Sequence, residues 1–263
     1  MTISLGGKKI FITGAGGVLG KSHIRMMLDA DATVIATELN ESRMEHLNTL
    51  FGTHKNFHCF KLDVTNELEV AGIFKDLLEF NLAPNVVINN AAMTGEMLLK
   101  NEQEFPNFAD TTIESWDRVI STNLTGAFLV ARQMDIDIVG NYPTKLINVS
   151  SMYALNGPHH KIYDGMKFKS FAAYSASKAG IHGLTIWLAG YWASRNCTVN
   201  TLAPGAVYNG HSTKFQKSIG NLTMLDRMAN PSEISGALLF LCSDGASYMT
   251  GQIINVDGGF SAW

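Results

Sequence analysis

Short runs of consecutive apolar residues alternate along this chain with longer stretches whose apolar positions recur every three to four residues. The short runs are KKIFIT (8–13), ATVIAT (32–37), FHCFKLD (57–63), NVVIN (85–89), KLINVS (145–150), CTVNTLAP (197–204) and QIINV (252–256). Each has the length of a strand. Between them, helical periodicity covers 18–30, 41–50, 66–80, 115–134, 174–195 and 231–242, the last opening on Pro231 and Ser232 ahead of Glu233, a helix-start signal. Strand-length runs that alternate with helices predict βαβ units, hence an α/β fold built on a doubly wound parallel sheet. No linker, repeat or low-complexity run divides residues 1–263, which therefore read as a single domain. In such sheets ligands bind beyond the carboxyl ends of the strands, so the loops after strands are where function is sought.

Composition narrows the partner. With 46% hydrophobic residues, 16% charged residues and a net charge of -3, the chain can bury a large core and carries no basic run of the kind that binds nucleic acid. A small molecule is the expected partner. Cys59, Cys197 and Cys242 are widely spaced and odd in number, which suggests neither a disulfide framework nor a metal site. The start, MTISLGGKKI, lacks the apolar segment of a secretory signal, and no apolar run reaches the ~18 residues of a membrane helix, so a cytoplasmic protein with no membrane partner is expected.

After the first strand comes TGAGGVLG (13–20). Glycines at a strand-to-helix turn let the backbone approach a pyrophosphate, and the helix N-terminus beyond offers N–H donors and the positive end of its dipole. Gly14, Gly16, Gly17 and Gly20 are thus candidates for a dinucleotide site of the Rossmann type. Glu38, ending the second strand, falls where a carboxylate would accept hydrogen bonds from the adenosine ribose. A carboxylate there repels a 2'-phosphate, and Leu39 and Asn40 supply no charge to attract one, so the expected cofactor is NAD rather than NADP.

The segment KIYDGMKFKSFAAYSASKAG (161–180) contains Tyr-x-x-x-Lys twice, as Tyr163 to Lys167 and as Tyr174 to Lys178. Residues four apart on a helix can meet, and an ammonium beside a phenol favours the phenolate and lowers its pKa. The pattern alone does not choose between the two.

Several ordered motifs do. LDV (62–64), NNAA (89–92), NLTGAF (123–128), INVSS (147–151), YSASK (174–178), APG (203–205) and ASYMTGQIINVDGGF (246–260), with the glycine turn, make the chain resemble the short-chain dehydrogenase/reductase family over nearly its whole length. In that family the tyrosine lies about thirty residues before a Pro-Gly pair. Tyr174 lies thirty residues before Pro204 and Tyr163 forty-one, beside the turn signal Asp164-Gly165, so the resemblance selects Tyr174 and Lys178. It implies that Tyr174 is the general acid/base and that Lys178 lowers its pKa and binds the nicotinamide ribose. Ser151 holds the substrate oxygen and Asn123 interrupts a helix and holds a relay water, while Ser150 is a plain strand-end hydroxyl. Leu19, Asp63, Val64, Asn90, Ala91, Pro204, Gly205 and Val207 are the further cofactor contacts the family pattern implies. Self-association into a dimer or a homotetramer is expected through the 174–195 helix, which carries Trp187, Tyr191 and Trp192.

Some positions depart from the family pattern. Val18 stands where a glycine is usual, so that residues 13, 14, 17 and 20 also match the extended branch of epimerases and dehydratases, although the VDGGF tail is typical of the shorter branch. Ala92 replaces a glycine, and Asn209 stands where a threonine usually meets the nicotinamide amide. Two segments are long: 93–115, with Glu96, Glu102, Glu104 and Asp110, and 152–173, with His159, His160, Lys161, Lys167 and Lys169. Because the second is tethered between Ser151 and Tyr174, its Tyr163, Lys161 and His159 are expected on the substrate side. The long SSMYA…YSASK insertion and MLDRMANPSEI resemble a group of flagellin modification proteins linked to sialic-like or legionaminic sugars, which implies an anionic sugar derivative and a place in carbohydrate biosynthesis. The expected activity is alcohol–ketone interconversion. The alternatives are a nucleotide-sugar epimerase or dehydratase, and a non-catalytic NAD-binding regulatory protein.

Overall fold

A computed structural model describes residues 3–98, 107–166 and 169–262. Seven parallel strands form one sheet in the order β3-β2-β1-β4-β5-β6-β7. They are β1 (Lys9–Ile12), β2 (Thr33–Glu38), β3 (Phe57–Lys61), β4 (Val86–Asn89), β5 (Thr144–Val149), β6 (Cys197–Pro204) and β7 (Ile253–Val256). All seven match apolar runs of the sequence. The order reverses between β1 and β4, and that switch point opens a crevice at the carboxyl ends of both strands.

The helices are α1 (Val18–Asp29), α2 (Glu41–Phe51), α3 (Glu67–Glu79), the single turn α4 (Gly95–Leu98), α5 (Ile113–Ile120), α6 (Gly126–Asp137), α7 (Ala172–Tyr191), α8 (Thr213–Gly220) and α9 (Pro231–Cys242). They cover both faces of the sheet. Successive strand residues point to opposite sides: Ile10 and Ile12 join Ile24 of α1 and Leu238 of α9 in one core, while Phe11 joins Phe74 of α3 and Val130 of α6 in the other. Thin polar chains cross this apolar interior. Asn89 donates to the Asn148 side chain at 2.9 Å, Asn148 to Thr185 at 2.9 Å, and the Thr185 and Thr201 hydroxyls meet at 2.8 Å, tying β4, β5, α7 and β6 together.

Three features differ from the sequence reading. The stretch 115–134 is one apolar pattern but not one α-helix, because a π-helical turn (Ser121–Thr125) separates α5 from α6. The helix at 213–220 escaped notice because its inward face needs only Phe215 and Ile219, four apart, against the 160–166 segment. The helix expected over 174–195 ends at Tyr191, and Trp192 is not surface: it is fully buried, its indole N–H donating to Asp135 Oδ1 at 2.7 Å, while Arg195 pairs with the same carboxylate. Trp187 and Tyr191 do face out, 61% and 54% exposed and stacked with ring centroids 4.8 Å apart.

Candidate active site

The glycine turn leaves β1 at Thr13 and enters α1 at Val18. Gly14 takes φ +60°, and a Cβ there would stand 2.6 Å from Ala91 Cα, so only glycine fits between β1 and the loop after β4. That loop locks the turn: the Asn90 side chain donates to the carbonyls of Thr13 and Gly14 at 2.9 and 3.0 Å, and the amides of Asn90 and Ala91 both donate to Thr13 Oγ1 at 3.0 Å. Helix α1 begins at Gly17 with no side-chain cap, whereas Asn40 caps α2 and Asn66 caps α3. Its first amides, on Val18, Leu19 and Gly20, are therefore the donors a pyrophosphate would find. The residues fit a dinucleotide.

At the end of β2 the Glu38 carboxylate is 5% exposed and bound to backbone amides: Oε2 accepts from Gly16 at 3.0 Å, and Oε1 from Leu39 and Asn40 at 3.0 and 3.1 Å. Arg43, which the sequence reading passed over, packs its side chain beside Gly16. Asp63 closes its own turn through Thr65, and the buried Val64 packs against Gly126. Pro204 ends β6, Gly205 abuts Asp257, and Val207 lines the cleft described next.

A cleft of about 300 Å³ opens beyond β5 and β6. Ser151, Tyr174 and Tyr163 line it, with Tyr153, Lys169 and His211. Ser151 lies just after β5, its Oγ accepting from the Tyr153 amide at 3.2 Å, and it is hydrogen-bonded to the Tyr174 hydroxyl. Burial pushes the Tyr174 hydroxyl above the usual phenol range, and the Ser151 bond pulls it partly back. One turn along α7, Lys178 is 2% exposed, donates to the Val149 carbonyl at 2.8 Å and stands 5.8 Å from the Tyr174 ring centroid. Burial pushes the Lys178 ammonium down to about 8. The sequence expectation that Lys178 lowers the Tyr174 pKa is thus not what dominates here; desolvation of both groups is. Ser150 donates to the Lys178 carbonyl at 3.0 Å, the bland role expected of it.

Asn123, in the middle of the π turn, is buried. Its Oδ1 accepts from the Met93 amide at 2.7 Å, and its Nδ2 donates to the Met93 carbonyl and to Ser177 Oγ at 3.2 and 3.1 Å. Ser177 in turn donates to the Tyr174 carbonyl at 2.8 Å. A π turn carries one extra residue, and here it places Asn123 between the loop after β4 and α7.

Of the insertion residues, Tyr163 reaches the cleft and shares a 2.8 Å hydrogen bond with the Tyr153 hydroxyl. His159 and Lys161 are exposed and are not among its described lining residues. Lys167, Glu102 and Glu104 lie outside the described residues. Tyr153 and His211 were missed, and their only sequence signal was position: two residues after Ser151 and six after Gly205. Among the described residues, no group of His, Cys, Asp and Glu could hold a metal, and no helix is long and apolar enough to cross a membrane.

Comparison with known proteins agrees with this geometry. The family model described as enoyl-(acyl carrier protein) reductase matches residues 14–261. The chain is 30% identical over 260 residues to a 3-oxoacyl-(acyl-carrier-protein) reductase of Thermotoga maritima, spanning 97% of this chain and 98% of that one. It is 28% identical over 267 residues to galactitol 2-dehydrogenase of Rhizobium johnstonii, spanning 98% and 97%. A crystal structure of a short chain dehydrogenase from Leptospira borgpetersenii serovar Hardjo-bovis with bound NAD+ superposes with a TM-score of 0.85 at 29% identity, covering 98% of this chain and 94% of the other. With a glycine turn locked against β4, and Ser151, Tyr174 and Lys178 gathered at the end of β5, the chain belongs to the short-chain dehydrogenase/reductase family of oxidoreductases.

Proposed function

We propose that this protein is an NAD(H)-dependent oxidoreductase that interconverts a secondary alcohol and a ketone on a small sugar derivative bearing an anionic group. The observation that carries the reading is the hydrogen-bonded pair of Ser151 and Tyr174 in a cleft that adjoins the glycine turn, with the Lys178 ammonium close by. A bound nicotinamide supplies or accepts the hydride. Ser151 Oγ hydrogen-bonds the substrate oxygen and orients it. Tyr174 gives that oxygen a proton, or takes one from it, and the nearby Lys178 ammonium stabilises the phenolate that remains. Asn123 holds the loop after β4 and, through Ser177, the start of α7 in register.

NAD is favoured by Glu38, whose carboxylate would repel a 2'-phosphate, and by the NAD+ bound to the Leptospira protein. The sugar assignment draws on the galactitol 2-dehydrogenase likeness and on the insertion. A second reading is reduction of a 3-oxoacyl thioester, favoured by the Thermotoga relative and by the apolar walls that Met152, Phe171, Phe215, Ile219 and Met228 give the cleft. End-to-end matching with a reductase of similar length weighs against the extended epimerase and dehydratase branch. Membership of an oxidoreductase family leaves a non-catalytic role unsupported.

The test is turnover with NAD+ and NADP+ on polyols and sugar acids, and with NADH and NADPH on acetoacetyl thioesters. NAD+-linked oxidation of a sugar derivative, reduced roughly 10²- to 10⁴-fold in Tyr174→Phe, is expected. Reduction of the thioester alone, with NADPH, would replace the sugar reading by the acyl one.

A further inference from the structure

The loop after β6 brings into the cleft a side chain that the reaction itself does not use. His211 lines the cleft, and its ring is fixed from two sides, 5.1 Å from the Phe215 ring and 6.4 Å from the Tyr208 ring between centroids. Its backbone is held as well, the carbonyl accepting from the Gln216 side chain at 2.7 Å. The Asn209 amide donates to His211 Nδ1 at 3.2 Å. A ring nitrogen that accepts carries no proton, so this bond places the proton of the neutral imidazole on Nε2. The result is an oriented N–H donor with no partner among the described residues.

Lys169 lines the same cleft from a different segment, five residues before Tyr174. Among the described lining residues none is an aspartate or a glutamate. A cleft whose described charged group is an ammonium, with an imidazole N–H in the same lining, selects an anion: the ammonium supplies a hydrated point charge and the imidazole a directed hydrogen bond. The neutral hydroxyl groups that share the lining, on Ser151, Tyr153, Tyr163 and Tyr174, bind a polar substrate without regard to its charge, so preference for an anion falls to these two residues.

We propose that His211 and Lys169 form an anion subsite that receives a carboxylate or phosphate of the substrate and so determines specificity, while Ser151 and Tyr174 receive the reacting oxygen. The inference rests on the oxidoreductase reading for the reacting end of the substrate. Of the basic insertion residues expected to bind an anion, Lys161, Lys167 and Lys169 with His159 and His160, it keeps Lys169, whose exposed side chain lines the cleft, and adds His211 from the loop after β6. Both groups bind without touching the reacting atoms, so their loss weakens substrate and transition state alike.

Binding is measured by calorimetry with NADH present, so that an alcohol cannot be oxidised during the titration. The probes are galactonate against galactitol, 3-hydroxybutyrate against 2-butanol, and glycerol 3-phosphate against glycerol. The proteins are wild type, Lys169→Gln, His211→Phe and the double variant, the phenyl ring keeping the contacts with Tyr208 and Phe215. For at least one pair, wild type should bind the anion about 10-fold or more tighter than its neutral partner, each single variant should narrow that ratio, and the double variant should bring it close to one with the neutral partner unaffected. Unchanged melting temperatures exclude misfolding. If no anion binds more tightly than its neutral partner in the wild type, or if the preference survives in the double variant, the subsite is wrong. A preserved preference pattern without any hydride transfer from the alcohols to NAD+ would instead sink the NAD-linked alcohol–ketone reading and leave the subsite standing.

Discussion

Tyr153 and Tyr163 share a hydrogen bond, their hydroxyl oxygens 2.8 Å apart on the wall of the cleft. Burial pushes both hydroxyls above the usual phenol range. The two tyrosines of the repeated Tyr-x-x-x-Lys pattern are thereby given different surroundings: Tyr163 is bonded to a wall tyrosine, and Tyr174 to Ser151 with Lys178 one turn away. Tyr163→Phe should lower kcat less than about 10-fold while destabilising the fold by ~1 kcal/mol, since it leaves the Tyr153 hydroxyl short of a partner. Tyr174→Phe should lower kcat by roughly 10²- to 10⁴-fold with cofactor binding retained. Steady-state kinetics and cofactor titrations on the two variants check this; the reverse ranking would move the catalytic role to Tyr163.

Lys178 is held against its preference for water, with its ammonium pushed down to about 8. Below pH 8 the folded protein carries the full cost of that buried charge. Between pH 8 and about 10.5 the unfolded chain keeps the proton while the folded one releases it, so wild-type stability should rise with pH across this window, by roughly 3 kcal/mol relative to Lys178→Met. Denaturant unfolding of both proteins at pH 7.5, 9 and 10 measures the difference. The variant should also lose turnover, so a parallel pH response in the two proteins would be incompatible with a desolvated ammonium.

His23, buried between α1 and α9 with Nδ1 2.7 Å from Ser235 Oγ, is pushed down to about 3 by burial. Its folded pKa lies below its unfolded one, so stability is present above pH 6.5 and is lost as the pH falls. By pH 5 the wild type should have lost roughly 2 kcal/mol relative to His23→Leu. Acid unfolding curves that stay parallel for the two proteins would show that this histidine is not the sensor.

Glu38 joins β2 to the glycine turn through the Gly16 amide, with Arg43 close by. Glu38→Ala removes the carboxylate that would repel a 2'-phosphate and leaves Arg43 beside the turn. The variant should bind NAD+ at least ~10-fold more weakly and lose its preference over NADP+. Fluorescence titration with NADH and NADPH reads both effects; an unaltered cofactor ratio would mean that Glu38 only holds the loop.

Trp187 and Tyr191 expose a stacked aromatic pair on α7, near Ile186, which is also exposed. An apolar patch of this kind is what a symmetric interface covers. Sedimentation of the wild type at micromolar concentration should give a dimer or a tetramer, and Trp187→Ala with Tyr191→Ala should shift it toward monomer. A monomeric wild type would remove self-association from this helix.

The sequence by itself determined the seven strands, the parallel architecture and the glycine turn. These follow from apolar periodicity and from local backbone demands, such as the φ of +60° at Gly14, which act within a few residues and leave a pattern there. It also singled out Tyr174, Lys178, Ser151 and Asn123, because each belongs to a motif with its own spacing. Tertiary structure alone decided which way side chains outside those motifs face. Trp192 and Tyr191 are neighbours in sequence, yet one is fully buried on Asp135 and the other is exposed, a difference set by where α7 stops. Lys161 and Lys169 carry the same charge in one loop, and only Lys169 lines the cleft. His211 carries no pattern at all; its place depends on α8 packing Phe215 and Ile219 against Ile162 and Tyr163, a contact between segments some fifty residues apart. Burial, and with it the direction of each pKa at the site, is likewise a property of what packs around a group, and a linear spacing of residues does not encode it.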